Sequence, residues 1–156
     1  METRVGLISD THGLMRPEAL AALHGVAMIL HAGDVGALSV LRELEGLAPV
    51  HAVYGNVDDP AFGLPAHCSL SVAGVSFHVT HGYELRSLTP EALVQHYRAD
   101  VVIYGHTHKS LIRRVGSTLV INPGAAGPKR FNVQPSVALV SIVDGHPSAR
   151  IIPLST

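Results

Sequence analysis

The chain has 156 residues, a length suited to one domain spanning residues 1–156 with a hydrophobic core of its own. Its 11 Lys and Arg against 12 Asp and Glu argue against nonspecific binding to nucleic acid or to an anionic membrane surface. The apolar runs are shorter than the roughly 20 residues of a membrane-spanning helix, and the single cysteine, Cys68, excludes an internal disulfide and favours the reducing cytoplasm as the location.

The first third of the chain alternates strand and helix patterns. Three short and nearly continuous apolar runs predict buried strands, with one helical pattern between each pair of runs. This alternation favours parallel strand pairing with right-handed crossovers. The predicted strands are residues 4–9, 26–33 and 49–55, and the predicted helices are residues 17–24, which begin at Pro17, and residues 37–46, which end at Gly46.

The rest of the chain is richer in strands. An antiparallel hairpin is predicted around the Ala73-Gly74 turn, and a helix follows with Thr89 as N-cap and Pro90 at its first position. Four strands joined by turns then predict a β-meander at the end of the chain. The spans are 67–72 and 75–80 for the hairpin, 89–99 for the helix, 100–105 for the next strand, and 110–115, 118–123, 137–143 and 147–154 for the meander. Together the elements indicate an α/β domain with two sheets packed face to face and helices outside.

Polar side chains follow five of the predicted strands, at the point where each strand ends. In open α/β sheets the loops at the carboxyl ends of the strands converge, and sites form there because rigid elements hold their side chains. We therefore expect these separated segments to meet at one rim. They contribute Asp10 and His12, Asp34, Asn56 and Asp58, His81, and His106 and His108.

The chemistry of this set indicates a metal centre. Oxygen and imidazole ligands without a thiolate suit divalent Mn, Fe, Zn, Co or Mg. Apart from Asp58, the set has two aspartates, one asparagine and four histidines, which are too many ligands for one tetrahedral ion and fit two ions if one carboxylate bridges them. Two neighbouring ions bind phosphoryl oxygens and lower the pKa of a water, so hydrolysis of a phosphate ester is the natural use.

Five blocks in this order resemble the signature of the calcineurin-like metallophosphoesterases. The resemblance is closest to the small prokaryotic phosphodiesterases of the group that includes the retromer scaffold subunit, and it covers essentially the whole chain. It implies a four-layer αββα sandwich of two mixed β-sheets flanked by helices. The blocks are Asp-Thr-His at 10–12, Gly-Asp-Val at 33–35, Gly-Asn-Val-Asp at 55–58, Thr-His-Gly at 80–82 and Gly-His-Thr-His at 105–108, and Ile-Asn-Pro-Gly-Ala at 121–125 is similar to a later block of that group.

The resemblance also implies a role for each matching residue. One ion is held by Asp10, His12 and His108. The other is held by Asn56, His81 and His106, and Asp34 bridges the two. A hydroxide between the ions attacks phosphorus in line, Asn56 also contacts a phosphate oxygen, and the expected catalytic residues are Asp34, Asn56 and His106.

One position departs from the family pattern. Many members carry a histidine directly after the asparagine, where it acts near the leaving group, and this chain has Val57 there. Such proton transfer typically contributes about 10²- to 10⁴-fold in rate, so slow turnover on poor leaving groups is expected. Asp58 is expected to orient Asn56 or a nearby histidine without contacting a metal ion itself.

Ordinary roles are expected for the other notable residues. Six of the seven remaining histidines are predicted to be surface or hydrogen-bonded core residues, and His31 is left without an assigned role because it directly precedes the Asp34 loop. Cys68 is expected to fill the core. Arg16, Lys109 and Arg130 are weak candidates for substrate contact, and Asn122 is expected to shape a turn.

The leading hypothesis is a binuclear metal-dependent phosphodiesterase that acts on a small phosphoester. Mn is the expected activating ion, with Fe, Zn, Co, Ni or Mg as alternatives. The chief rival is a protein-interaction scaffold on the same fold with a weak or inactive site, and a metal-binding regulator without turnover is a third possibility. Neither a membrane nor a nucleic acid is an expected partner, and a homodimer is possible.

Overall fold

The computed structural model describes residues 1–130 and 132–155. Within that part of the chain, ten strands form two five-stranded sheets, and three α-helices and one 3₁₀ turn accompany them. The helices are α1 (Pro17–Ala22), α2 (Leu38–Glu45) and α3 (Pro90–His96), and the 3₁₀ turn is Pro60–Phe62. The strands are β1 (Glu2–Ile8), β2 (Met28–His31), β3 (Val50–Ala52), β4 (His67–Val72), β5 (Val75–Thr80), β6 (Val101–Ile103), β7 (Leu111–Val115), β8 (Thr118–Asn122), β9 (Ser136–Val143) and β10 (His146–Pro153).

Each sheet combines parallel and antiparallel pairs. The first sheet has the order β10-β9-β1-β2-β3, in which β1, β2 and β3 are parallel, β9 is antiparallel to β1, and β10 is antiparallel to β9. The second sheet has the order β4-β5-β6-β8-β7, in which β5, β6 and β8 are parallel. Six parallel strands therefore end in loops, three from each sheet.

Three hydrophobic clusters define the layers. The largest lies between the sheets and includes Leu7, Leu30 and Phe77, all fully or almost fully buried. A second packs α1 and α2 on the outer face of the first sheet, and a third packs α3 on the outer face of the second sheet. The four-layer αββα sandwich of two mixed sheets is thus confirmed.

Sequence patterns locate the elements well, with three corrections. The helices are shorter at their ends than predicted, because the apolar pattern continues into the turns that cover the core. The final β-meander is wrong: β7 and β8 belong to the second sheet and β9 and β10 to the first, since each hairpin completes a different side of the sandwich. The 3₁₀ turn was not predicted. Its N-cap is Asp59, whose carboxylate accepts a hydrogen bond from the Ala61 amide at 2.9 Å.

Cys68 and Thr89 have the roles predicted from the sequence. Cys68 is half-buried against the cluster between the sheets, and burial raises the pKa of its thiol, so it behaves as a core residue as predicted. Thr89 caps α3 as expected, with its hydroxyl accepting from the Ala92 amide at 3.2 Å. Among the described helices, none is long and apolar enough to cross a membrane.

Candidate metal centre

The loops after the parallel strands of both sheets meet at one edge of the sandwich. Backbone hydrogen bonds join the first two loops, from the Asp10 amide to the Gly33 carbonyl and from the His12 amide to the Asp34 carbonyl, each at 3.0 Å. The second sheet joins them through its own loops, where the His106 amide donates to Asp10 Oδ2 at 3.2 Å. The predicted convergence at the carboxyl ends of the strands therefore exists.

These loops carry unusual backbone conformations. Eight non-glycine residues of the described chain have a positive φ, and five of them are predicted ligands. A positive φ costs a non-glycine residue free energy, and such residues concentrate at functional sites, where the surrounding structure imposes them. The five are Asp10 (54°), His12 (48°), Asp34 (55°), His106 (72°) and His108 (64°).

A first group of potential ligands consists of Asp10, His12 and His108, whose ligand atoms all lie within 4.8 Å of one another. His108 Nε2 is 3.4 Å from Asp10 Oδ1 and 3.4 Å from His12 Nε2. Asp10 is fully buried and the two histidines are half-buried, so the group opens to solvent on the histidine side.

A second group consists of Asp10, Asp34 and His81, all buried and also within 4.8 Å of one another. His81 Nε2 lies 3.1 Å from Asp34 Oδ2 and 3.9 Å from Asp10 Oδ1. Asp34 Oδ2 is also 3.8 Å from His12 Nε2 in the first group. Both carboxylates therefore lie between the two groups, which is the geometry that a bridging ligand needs.

Two atoms at the centre show that a cation fits there. Asp10 Oδ1 and His81 Nε2 are buried and make no hydrogen bond to the described residues. His81 Nδ1 donates to the Ala32 carbonyl at 2.8 Å, which leaves the Nε2 lone pair facing carboxylate oxygens. Buried polar atoms without partners are costly, and a metal-bound histidine typically donates its other ring N–H to a carbonyl in this way. The donor set therefore suits a divalent metal ion.

The pKa values reflect the same crowding. Burial lowers the pKa of His12 more than the Asp34 and Asp10 carboxylates raise it. For His81, burial acts to lower the pKa, but the Asp34 carboxylate, 3.1 Å from Nε2, together with the charge of Asp10 outweighs burial and raises the pKa. Burial likewise acts to raise the pKa of Asp34, and its interactions with His81 reverse the direction. The raised pKa of His81 and the lowered pKa of Asp34 both show that a positive charge is favoured between the two side chains, where a cation fits.

The two remaining predicted ligands lie at the margin. His106 belongs to neither group, although its ring centroid is 5.2 Å from that of His81. Asn56 is exposed, and its neighbour Val57 donates its amide to Asp34 Oδ1 at 3.0 Å. The structure therefore brings five of the seven side chains into the two groups and places the other two in the loops beside them.

Asp58 acts differently from the prediction. It supports neither Asn56 nor a histidine directly, because its two carboxylate oxygens accept from the backbone amides of Gly36 and Gly55, each at 2.9 Å. These bonds tie the loop after β2 to the loop after β3. Asp58 thus fixes the spacing between the loop that carries Asp34 and the loop that carries Asn56.

Two glycines of the motifs, Gly55 and Gly105, allow their loops to lie directly against the loops that carry Asp34 and Asp10. A Cβ atom at Gly55 would overlap the backbone and carboxylate of Asp34, and one at Gly105 would overlap Ser9 Oγ and the Asp10 carboxylate. Ser9 Oγ donates to Asp10 Oδ2 at 2.6 Å, so even a small displacement there disturbs the buried aspartate. Glycine at position 55 lets two neighbouring loops of the first sheet lie against each other, and glycine at position 105 does the same between the two sheets.

His31 has a structural role that the sequence left uncertain. It is fully buried, its Nδ1 accepts from the Gly33 amide at 3.1 Å, and its Nε2 lies 3.0 Å from Thr11 Oγ1. Thr11 Oγ1 donates onward to the Val35 carbonyl at 2.8 Å, so Nε2 carries the hydrogen of its bond. This chain of bonds locks the loop after β1 to the loop after β2. Sequence reasoning missed Thr11 because a threonine inside Asp-x-His carries no signal of its own.

Acid is expected to destabilise the protein through His31. Burial lowers its pKa from 6.5 to about 4, so the unfolded chain binds the proton more readily than the folded one. The contribution of neutral His31 to the free energy of unfolding is therefore fully present above pH 6.5. It is lost as the pH drops toward 4, which lowers the free energy of unfolding by about 3 kcal/mol from this residue alone. Urea unfolding of metal-free protein at several pH values measures the loss. The His31→Gln variant should show a flatter profile than wild type, and His51→Gln, at an exposed position of β3, is the control; equal slopes in all three proteins would contradict the assignment.

Asn122 organises the histidine pair, as its predicted turn-shaping role requires. Its buried amide donates to the Gly105 carbonyl and to Thr107 Oγ1, each at 3.1 Å, and its Oδ1 accepts from the Gly124 amide at 2.9 Å. The side chain therefore holds the Gly-His-Thr-His loop onto the end of β8.

Replacing Asn122 by Ala is expected to lower the free energy of unfolding by about 1–3 kcal/mol, because buried backbone groups lose their partners. Metal-dependent activity should require a higher metal concentration, since His108 loses its support. Asn122→Asp keeps the oxygen that accepts from the Gly124 amide and loses the N–H that donates to the Gly105 carbonyl. It should therefore impair metal binding while lowering the free energy of unfolding less than Asn122→Ala does. Denaturant unfolding and metal titration of activity measure both effects, and an Asn122→Ala protein with wild-type metal dependence would contradict the role.

A cleft of about 450 Å³ opens beside the histidine pair and is lined in part by Lys109 and Arg130. The charge of Arg130 is also felt at His12, whose pKa it helps to lower. Arg16 instead donates to the Gly127 carbonyl at 3.1 Å and so serves the structure of the loops. Of the three basic residues singled out in the sequence, two therefore line an open cleft next to the candidate ligands.

The fold and the two carboxylate–histidine groups define a metal-binding αββα sandwich protein. Residues 3–145 match the Calcineurin-like phosphoesterase superfamily domain, so the chain belongs to the calcineurin-like phosphoesterase family.

Relatives and solved structures agree with this membership. The chain is 38% identical over 162 residues to a probable metallophosphoesterase of Methanothermobacter thermautotrophicus, covering 95% of this chain and 91% of the relative. It is 33% identical over 140 residues to Phosphodiesterase MJ0936 of Methanocaldococcus jannaschii, covering 78% of this chain and 82% of the relative. The structure of Vps29 from Entamoeba histolytica complexed with Zn²⁺ superposes with a TM-score of 0.76 at 26% identity, covering 97% of this chain and 99% of that one.

Proposed function

We propose that this protein is a phosphodiesterase that hydrolyses a small phosphoester with the help of two divalent metal ions. The observation that carries the proposal is the pair of buried, unpartnered atoms, Asp10 Oδ1 and His81 Nε2, at the junction of two carboxylate–histidine groups. The similarity to a relative named as a phosphodiesterase supports a diester over a monoester.

The residues divide between two ion positions. Asp10, His12 and His108 hold one ion. Asn56, His81 and His106 hold the other, and Asp34 reaches both. The distances from Asp34 Oδ2 to His81 Nε2 (3.1 Å) and to His12 Nε2 (3.8 Å) support this bridging role.

Two divalent ions at such a centre supply a nucleophile at neutral pH and neutralise charge on the phosphoryl oxygens. The chain's own residues prepare that chemistry. The Ala32 carbonyl fixes the ring orientation of His81, and the Val57 amide fixes the carboxylate of Asp34. Asn56, exposed on the next loop, orients the phosphate. Lys109 and Arg130 attract the anionic substrate into the adjacent cleft.

Hydrolysis of a chromogenic phosphodiester and of the matching monoester, by metal-stripped protein before and after addition of metal ions, tests the proposal. Turnover of the diester that requires a divalent ion and exceeds turnover of the monoester is the expected result. A folded protein without turnover in the presence of Mn²⁺, Zn²⁺, Co²⁺, Ni²⁺, Fe²⁺ or Mg²⁺ contradicts it.

The second candidate function is that of a protein-interaction scaffold, favoured by the similarity to Vps29 structures. The two functions make different demands on the centre. A scaffold does not need ligand atoms held in strained loops, whereas an enzyme does, and five of the seven predicted ligand residues have a positive φ. Absence of turnover combined with metal binding would favour the scaffold or a metal-dependent regulator.

Three further properties complete the proposal. Mn²⁺ is the proposed activating ion, because a mixed set of carboxylate, amide and imidazole ligands suits it. The cytoplasm is the proposed location, on the ground that the chain has one cysteine and no disulfide. A homodimer stays a prediction, and the mass of the protein in solution at micromolar concentration tests it.

A further inference from the structure

A second cluster of histidines lies away from the strand ends, on the outer face of the second sheet. His67 on β4 is paired with Thr80 on β5, and Ser69 on β4 is paired with His78 on β5, so the two histidines are diagonal neighbours across an antiparallel pair. Alternate residues of β5 fill the core between the sheets, which places His78 on the opposite face. Their sequence pattern alone predicts ordinary surface or core roles for both histidines.

The inner nitrogens of the two rings face each other. His67 Nδ1 lies 3.2 Å from His78 Nε2, and one proton is shared between them in the metal-free protein. Two nitrogens bound to one Zn²⁺ at about 2.0–2.1 Å in tetrahedral geometry stand roughly 3.3–3.4 Å apart. The observed separation is therefore close to the one that a shared zinc ion requires.

The outer nitrogens of the two rings face oxygen atoms. His78 Nδ1 lies 3.0 Å from Ser69 Oγ, and His67 Nε2 lies 3.9 Å from Glu84 Oε1. A histidine that binds a metal through one nitrogen typically directs its other N–H to a carboxylate or another oxygen. When a metal ion displaces the shared inner proton, each ring can carry its hydrogen on the outer nitrogen, toward Ser69 and Glu84.

The surroundings hold this arrangement in place. Thr80 Oγ1 and the Tyr97 hydroxyl both donate to Glu84 Oε1 at 2.7 Å. The Tyr97 ring stacks on His78 with centroids 4.2 Å apart and an angle of 14° between the planes. Burial and the neighbouring His67 lower the pKa of His78, and hydrogen bonds from Thr80 and Tyr97 outweigh burial to lower the pKa of Glu84. At neutral pH, His78 is therefore ready to bind a metal and Glu84 is ionised.

We infer that His67 and His78 form a surface site for an additional Zn²⁺ ion, separate from the metal centre at the strand ends. His67 Nδ1 and His78 Nε2 are its protein ligands, Ser69 and Glu84 hold the rings, and solvent completes the coordination because the His67 side chain is 39% exposed. On binding, the hydrogen between the inner nitrogens moves through solvent to the outer nitrogen that lacks one, so each ring keeps one hydrogen and no net proton is released. Imidazole pairs favour Zn²⁺, Ni²⁺ and Cu²⁺ over Mn²⁺, so Mn²⁺ at the main centre leaves this site free.

Titration of metal-stripped full-length protein with Zn²⁺, followed by calorimetry, tests the inference. Wild type should bind one equivalent of Zn²⁺ more than either His67→Gln or His78→Gln. The control variant His51→Gln, at an exposed position of β3, should bind the same number of equivalents as wild type. Hydrolysis supported by Mn²⁺ should be the same in all four proteins, so the result is independent of the proposed function. If wild type, His67→Gln and His78→Gln all bind the same number of equivalents of Zn²⁺, the proposed surface site does not exist.

Nitrogen-15 NMR of the histidine rings in wild type gives a second readout that needs no variant. Zn²⁺ should shift the signals of His67 Nδ1 and His78 Nε2 to positions typical of bound imidazole, after the signals of the main centre have saturated. If only the rings of His12, His81, His106 and His108 respond, the inference is wrong.

Discussion

Asp34→Asn is expected to abolish metal-dependent phosphodiester hydrolysis. Asp34 lies close to both ligand groups, at 3.1 Å from His81 Nε2 and 3.8 Å from His12 Nε2, and is the proposed bridge between the ions. An amide has nearly the same shape but carries no charge, so the attraction for two cations is lost. The fall in kcat/KM should exceed the roughly 10- to 100-fold that altering a residue behind a metal ligand typically costs.

The same substitution has a consequence in the metal-free protein. The nearby charge of the Asp34 carboxylate raises the pKa of His81 against the effect of burial, so the pKa of His81 should fall in Asp34→Asn. Proton NMR titration of the His81 ring measures this change. Cys68→Ala, a change in the half-buried core, is the control and should retain activity. An Asp34→Asn protein that hydrolyses the diester at the wild-type rate would end the two-metal scheme.

Val57→His is expected to accelerate hydrolysis of diesters with poor leaving groups. Val57 is 56% exposed and follows Asn56, at the position where many family members have a histidine. Its amide already bonds to Asp34 Oδ1, and that bond does not depend on the side chain. A positioned imidazole that donates a proton to the leaving oxygen typically contributes about 10²- to 10⁴-fold.

The comparison of leaving groups makes this prediction specific. An alkyl diester needs protonation of its leaving oxygen and should gain about 10²-fold or more in kcat, whereas a p-nitrophenyl diester needs little help and should gain little. The gain should appear with a bell-shaped pH profile. Val57→Gln, polar and of similar length but without a transferable proton, is the control. Equal gains for both substrates, or a gain in Val57→Gln, would show that the histidine acts in another way.

Much of the candidate site was predictable because it depends on local pattern. Asp10, Asp34 and His81 each follow a buried apolar run, and the carboxyl ends of parallel strands meet at one edge whatever the details of the loops. That rule suffices to predict that the residues converge. Asp58 shows where this rule fails. It was predicted to support a metal ligand, but its carboxylate accepts hydrogen bonds from two backbone amides. No sequence pattern indicates which backbone amides of a neighbouring loop lack a partner.

The sheet topology shows the same division. Each strand near the end of the chain was predictable from its apolar alternation, whereas the assignment of β7 and β8 to one sheet and β9 and β10 to the other was not. A strand's pattern determines which face it buries, but the choice of partner strand depends on which edge is free once the rest has packed. The roles of Thr11 and His31 were hidden for the same reason, since their bond joins positions 20 residues apart.

The sequence by itself determined the class of fold, the family and the type of chemistry, because those depend on periodicity and on motifs that are continuous along the chain. The tertiary structure alone decided which ligand atoms are left without partners, that the Asp10 and Asp34 carboxylates both lie between the two ligand groups, and that His67 and His78 face each other across two strands. These properties depend on distances of a few ångströms between segments far apart in sequence, and such distances are set by packing.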